Sequence, residues 1–227
     1  MKINKTILYI HNLEQMINFY GEKLGFPILE KSPKGFQIAV GNSILAFELI
    51  SPTIYKQYHF AFNIPSNLFD LAKGWIQKYT PLLTNQGEDE VFFQNINAHS
   101  LYFYDPEENV VEFIARHDIN PKVEVDTFSV HTIIDIGEMN LTTDDLMYVG
   151  KQLITIGIPV RNNEKLDETS LNFMGEADDG VHLLLGPSKR NWFFSTKDAI
   201  VSPIVIEIND NIKLGIDING HFKWEKI

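Results

Sequence analysis

A histidine and a glutamate stand near the ends of two strongly β-prone runs. His59 opens one in Tyr58-His59-Phe60-Ala61-Phe62-Asn63-Ile64-Pro65, and Glu112 closes the other in Asp105-Pro106-Glu107-Glu108-Asn109-Val110-Val111-Glu112-Phe113. Placed side by side in one curled sheet, a neutral imidazole and a carboxylate would hold a divalent cation against an oxygen-bearing substrate. Glu112 is the harder of the two to explain otherwise, because a carboxylate within Val110-Val111-Glu112-Phe113-Ile114 is costly to bury unless it is paired or metal-bound. The competing readings are a strand histidine bonded to a neighbour and a glutamate facing outward. The chain contains no cysteine, which removes disulfides, thiolate nucleophiles and Cys-type zinc or iron–sulfur sites. Any metal must then be held by His, carboxylate or other oxygen ligands.

The elements that must position these residues repeat along the chain. A strand, an amphipathic helix and several short strands recur at least three times. The first copy has Thr6-Ile7-Leu8-Tyr9-Ile10 as its strand. Its helix has Asn12 as N-cap with Gln15 three residues on, then Leu13, Met16, Ile17, Tyr20 and Leu24 at helical spacing, with Gly25 as the left-handed C′ residue. The second copy starts at His59, and its helix is capped by Ser66. The third is read as a strand over 130–134, a Thr142/Thr143 cap and a helix through Leu146, Val149 and Leu153. It ends in Ile156-Gly157-Ile158-Pro159, an echo of Leu24-Gly25-Phe26-Pro27. A partial fourth copy without a helix follows. The organisation expected is residues 1–115 as paired modules (1–52 and 57–115) forming the main cleft, 116–127 as a linker, and 128–227 as the third module plus the partial fourth.

Composition supports a packed, water-soluble chain: 227 residues, 44% hydrophobic and 12% aromatic. The net charge of -11 repels a phosphate backbone, and no Lys/Arg cluster offsets it, so neither nucleic acid nor an anionic membrane is an expected partner. There is no apolar run of about 18 residues and only a short apolar stretch near the start. The expected location is the cytoplasm.

The repeats resemble the βαβββ modules of the vicinal oxygen chelate superfamily, which includes glyoxalase I, bleomycin-resistance proteins and extradiol dioxygenases. The resemblance lies in Asn12-Leu13-Glu14, Asn18-Phe19-Tyr20 and Lys23-Leu24-Gly25-Phe26, in His59-Phe60-Ala61-Phe62, and in Tyr102-Phe103-Tyr104-Asp105-Pro106-Glu107-Glu108-Asn109-Val110-Val111-Glu112. It implies an α+β fold whose curled mixed sheets surround a cleft, with metal ligands on the first and last strands of each module. Carried over by position, these are Lys5 and Glu48 in the first module, and His59 and Glu112 in the second. Lys5 departs from the pattern, since a protonated amine repels a cation. Glu108 departs as well, standing where the turn usually has glycine.

The resemblance thus implies a divalent ion (Zn, Ni, Mn, Fe or Mg) on His59, Glu112 and Glu48. Glu48 is alternatively the catalytic base, and Tyr102 is a hydrogen-bonding catalytic residue. A small oxygenated molecule would be the substrate. Lyase or isomerase chemistry is favoured over dioxygenation, which would need His99 as a second histidine. The rival is a non-catalytic protein of bleomycin-resistance type that sequesters a drug or metabolite, and a homodimer fits either reading. His131 is read at the opening strand of the third module and His182 as structural. Trp192-Phe193-Phe194 beside Lys189-Arg190 reads as an aromatic plug in preference to a lid over the first cleft.

Overall fold

The computed structural model describes residues 1–227. The first module comprises β1 (Ile3–Ile10), a helix, β2 (Ile28–Ser32), β3 (Gly35–Val40) and β4 (Ser43–Leu49). Its helix begins as α1 (Leu13–Met16), where the Asn12 side chain accepts the Gln15 N–H at 3.0 Å, and continues as a π-helical stretch over Ile17–Lys23. Gly25 follows at φ +79° and its counterpart Gly157 at φ +88°, so the echo read from sequence is the same left-handed stop used twice.

The second module comprises β5 (His59–Asn63), α2 (Phe69–Ile76), β6 (Val91–Phe93), β7 (Ala98–Tyr104) and β8 (Val110–Arg116). The third has β9 (Asp135–Thr142), α3 (Leu146–Thr155), β10 (Asn172–Met174) and β11 (His182–Gly186). Three strands without a helix complete the chain: β12 (Ile204–Ile208), β13 (Ile212–Ile216) and β14 (Phe222–Lys226). Two capping assignments are corrected: α2 and α3 start after Leu68 and Asp145 with no side-chain cap. Ser66 Oγ has no partner, and Thr143 Oγ1 instead accepts the Asp145 N–H at 3.1 Å.

The strands form two curled mixed sheets of seven, in the orders β14-β13-β12-β1-β4-β3-β2 and β10-β11-β9-β5-β8-β7-β6. The α+β fold of repeated modules is therefore as expected, but the partners differ. The first module pairs through β1 with β12, and the second pairs through β5 with β9 of the third. Each sheet is thus built by two chain segments, and the first and second modules lie in different sheets.

Alternation along the strands decides what faces where. In β5, Phe60 and Phe62 point into the large core shared by both sheets and the helices, as do Val111, Phe113 and Ala115 of β8. His59, Ala61, Glu112 and Ile114 take the opposite, concave face. Both faces are covered, so every residue of β5 and β8 is buried. The two sheets are tied together by Ser43, whose hydroxyl donates to Ile3 O (2.6 Å) and accepts from Ile136 N (3.2 Å), and by Asn42 N on Ile134 O (2.8 Å). No helix is long and apolar enough to cross a membrane.

Candidate metal centre

Strand register builds the site. Ala61 of β5 lies beside Glu112 of β8 on one side and Glu138 of β9 on the other. The small methyl of Ala61 leaves the two carboxylates room to converge. His59, two residues back on the same face, completes a cluster whose ligand atoms all lie within 4.8 Å of one another, with all three residues buried.

The histidine is set for coordination. Its backbone N–H donates to Asn140 Oδ1 (3.2 Å), and ring Nδ1 lies 3.0 Å from the Val110 carbonyl. A carbonyl can only accept, so the proton resides on Nδ1 and the Nε2 lone pair faces the cavity, 3.4 Å from Glu112 Oε2. Burial holds His59 down to about 4, with further lowering by Arg190. Burial first, and then the charge of Glu138, hold Glu112 well above the usual carboxylate range. The His59–Glu112 contact is therefore one between a neutral imidazole and a carboxyl that burial and Glu138 drive toward protonation, not an ion pair. Glu138 is paired with the guanidinium of Arg116, itself buried and also 3.4 Å from Asn63 Oδ1.

Tyr102 sits opposite Glu112 in the β7–β8 pairing and lines the same cavity. Burial, then the Glu112 and Glu138 carboxylates, raise its phenol well above the ordinary value, so it stays protonated. The cavity measures about 340 Å³ and is walled by Phe93, Phe173, Trp192 and Phe193, among others. Trp192 packs on His59 at 4.9 Å between ring centroids, and Phe194 stacks on Tyr102 at 5.0 Å. The aromatic segment thus covers this cleft, not one formed by residues 1–115. Lys197 fastens it to Glu108, which adopts φ +59° in the turn before β8.

Glu48 is not part of the cluster. It is exposed on β4, in the other sheet, paired with Tyr9 and Gly35. The register gives the reason: His59 pairs with Val110 and Glu112 lies two residues on, whereas Lys5 pairs with Ile44, which places Ala46, not Glu48, at the corresponding position. The first sheet consequently has lysine and alanine where ligands would stand.

Glu138, the third member, lies outside the strand that the sequence predicts over 130–134 for the third module. That stretch includes a short 3-10 turn, with His131 exposed, and the strand starts at Asp135. His99 is remote from the metal cluster in role: its Nδ1 lies 2.7 Å from His117 Nε2, and its ring packs on Phe69 and Phe92. In the third module Glu138 pairs with His182, which puts Leu184 where Glu112 stands in the second. The centre therefore offers one imidazole, two carboxylates and a leucine.

Comparison with solved structures matches this architecture over nearly its full length. A glyoxalase I variant from Zea mays superposes with a TM-score of 0.58, covering 99% of this chain and 92% of that one at 14% identity. The chain has the vicinal oxygen chelate fold. A second structure, a putative dioxygenase from Bacillus subtilis, gives a TM-score of 0.56 at 14% identity, with 82% of this chain and 64% of that one covered. The family model described as toxoflavin-degrading enzyme matches residues 136–190, the segment that contains Glu138, Arg161, Leu184 and Arg190. A search of curated proteins found no match.

Proposed function

We propose that this vicinal oxygen chelate chain is a metal-dependent lyase or isomerase acting on a small oxygenated organic molecule in the cavity over His59, Glu112 and Glu138. The observation that carries the reading is the donor set: three buried ligand atoms within 4.8 Å, with the imidazole tautomer fixed so that Nε2 faces the carboxylates. One nitrogen and two carboxylate donors suit Mn, Fe, Ni, Zn or Mg. A divalent ion there would supply Lewis-acid stabilisation of negative charge as it develops on substrate oxygen.

The chain's own groups divide the remaining work. Arg116 pairs with Glu138 and fixes its carboxylate on the concave face, while His59 and Glu112 supply the facing donors. Tyr102, kept protonated beside Glu112, would donate its hydroxyl within the cluster or to a substrate oxygen. Trp192 and Phe193 exclude water. A single histidine supports lyase or isomerase chemistry over iron-dependent dioxygenation, which commonly uses two histidines and one carboxylate.

A second reading, a sequestering protein of bleomycin-resistance type, is favoured by Leu184 at the fourth ligand position and by the Arg116–Glu138 pair, which neutralises one carboxylate without metal. Metal analysis of protein purified without added metal separates them. The expected result is close to one equivalent of a divalent transition metal, lost in His59→Ala and Glu112→Gln. Less than about a tenth of an equivalent, unchanged in His59→Ala, would leave the sequestering reading, because a site of this donor set binds such ions only through these residues.

A further inference from the structure

Two guanidiniums enter this same cavity without a counter-charge. Arg161 lies over the Phe173 ring at 4.3 Å and Arg190 over the Trp192 ring at 4.6 Å, and both line the cavity. Neither makes a salt bridge to any carboxylate, unlike Arg116, Lys56, Lys73 and Lys197. Arg190 Nε is buried and unpartnered, and so is the indole Nε1 of Trp192, a residue only 3% exposed. Both atoms are donors with no acceptor capacity. Buried donors are ordinarily satisfied, and leaving one unmade costs about 1–3 kcal/mol. Both residues line the cavity, so unmade donors and two unpaired guanidiniums stand at one site, which suits an acceptor that carries negative charge.

The two cations gather on one side. Phe173, under Arg161, pairs directly with Leu184, and Arg190 Nε lies 3.9 Å from where a Cβ on Gly186 would be. They therefore approach the side of the cavity formed by β10 and β11, where Leu184 replaces a ligand. The other walls include the flat rings of Phe93, Tyr102 and Phe193.

We propose that Arg190, Arg161 and the Trp192 indole form an anion seat that takes the carboxylate of a small planar organic acid, directing the acid's other end toward His59 and Glu112. This names a substrate class for the function proposed above, yet the seat itself uses no metal. The test is therefore made on chelator-treated protein, so that it stands or fails apart from metal binding.

Titration calorimetry would compare benzoate with the nearly isosteric neutral benzamide and the cationic benzylamine. Benzoate should bind at least about ten-fold more tightly than benzamide, the size of one lost charge-assisted hydrogen bond, and benzylamine should not bind. Arg190→Gln and Arg161→Gln should each weaken benzoate about ten-fold or more without changing the weak benzamide affinity, and Arg190→Lys should recover part of the loss. Equal affinity for benzoate and benzamide would overturn the proposal. So would an undiminished benzoate affinity in both glutamine variants, or no benzoate binding at up to about 10 mM, where even a weak single ion pair registers.

Discussion

The Arg116–Glu138 pair is the residue whose removal says most about the centre. Both side chains are buried, and Arg116 is among the largest fully buried residues of the chain. Breaking such a pair leaves one charge without a partner, which costs about 3–5 kcal/mol, more than the pair itself contributes against an apolar replacement. Arg116→Met should therefore lower unfolding stability by about that amount in chelator-treated protein, measured by urea denaturation. If Glu138 ligates a cation, adding metal should restore part of the loss, because the ion takes over the role of counter-charge. Glu138→Gln with Arg116 retained should lose stability and show no such recovery.

At the scale of the element, β9 is where the site is made or lost. Register slips between Ala61 and Phe62, so that Glu138 pairs with Ala61 and Ile136 with Phe62, leaving Gly137 bulged. Strict alternation from Ile136 would send Glu138 into the core. The bulge turns it onto the concave face instead, a recognised use of this feature beside functional sites. A Cβ on Gly137 would come within 2.5 Å of the Asn63 side chain, which donates to Asp135 Oδ1 (2.8 Å) and Gly180 O (3.0 Å). Gly137→Ala should thus cost about 1–3 kcal/mol and also weaken metal retention, whereas Gly74→Ala, with open space around it, should not lower metal content. Differential scanning calorimetry with metal analysis on both variants checks this.

The same strand shows what could be read in advance. His59 and Glu112 stood out because a histidine and a carboxylate interrupt apolar runs at the right places. Glu138-Met139-Asn140-Leu141-Thr142 alternates just as clearly, but the apolar run preceding it drew the strand assignment five residues too early. Glu48 shows the reverse: it interrupts an apolar run and so predicts a ligand, but the ladder pairing that disqualifies it is a property of two strands together. Which modules share a sheet is likewise fixed by long-range pairing, such as β5 on β9, and not by local pattern.

On the scale of the whole molecule, the second and third modules of one chain supply all three members of the candidate cluster. Stability across pH carries the mark of the buried histidines. His182 is held down to about 3, by burial first and then by Arg116, Arg161 and the amino terminus, against 6.5 when unfolded. Its lowered value means that the unfolded chain binds the proton more tightly, so the contribution is present above pH 6.5 and is lost as pH falls toward 3. Glu112 and Asp105, the latter pushed up to about 6 by burial, act in the opposite direction over part of this range. The clean observable is therefore a difference. Between pH 6.5 and 5, wild type should lose about 1.6 kcal/mol relative to His182→Gln, the slope rising toward the limit of about 1.4 kcal/mol per pH unit for one group only below the unfolded value. Parallel stability curves for the two proteins would show that His182 is not buried neutral.

Leu184 has a consequence for handedness. The paired modules repeat the same register, so His59 answers to Glu138 and Glu112 to the fourth position. Had that position carried a carboxylate, the two ends of the site would differ only in the exchange of His59 for Glu138. With leucine there, and both unpaired guanidiniums beside it, the two poses of a substrate are unequal. For the reaction proposed above, the expected outcome is that the two faces of a flat reacting carbon are served unequally, and chiral chromatography of the product should show one configuration in excess.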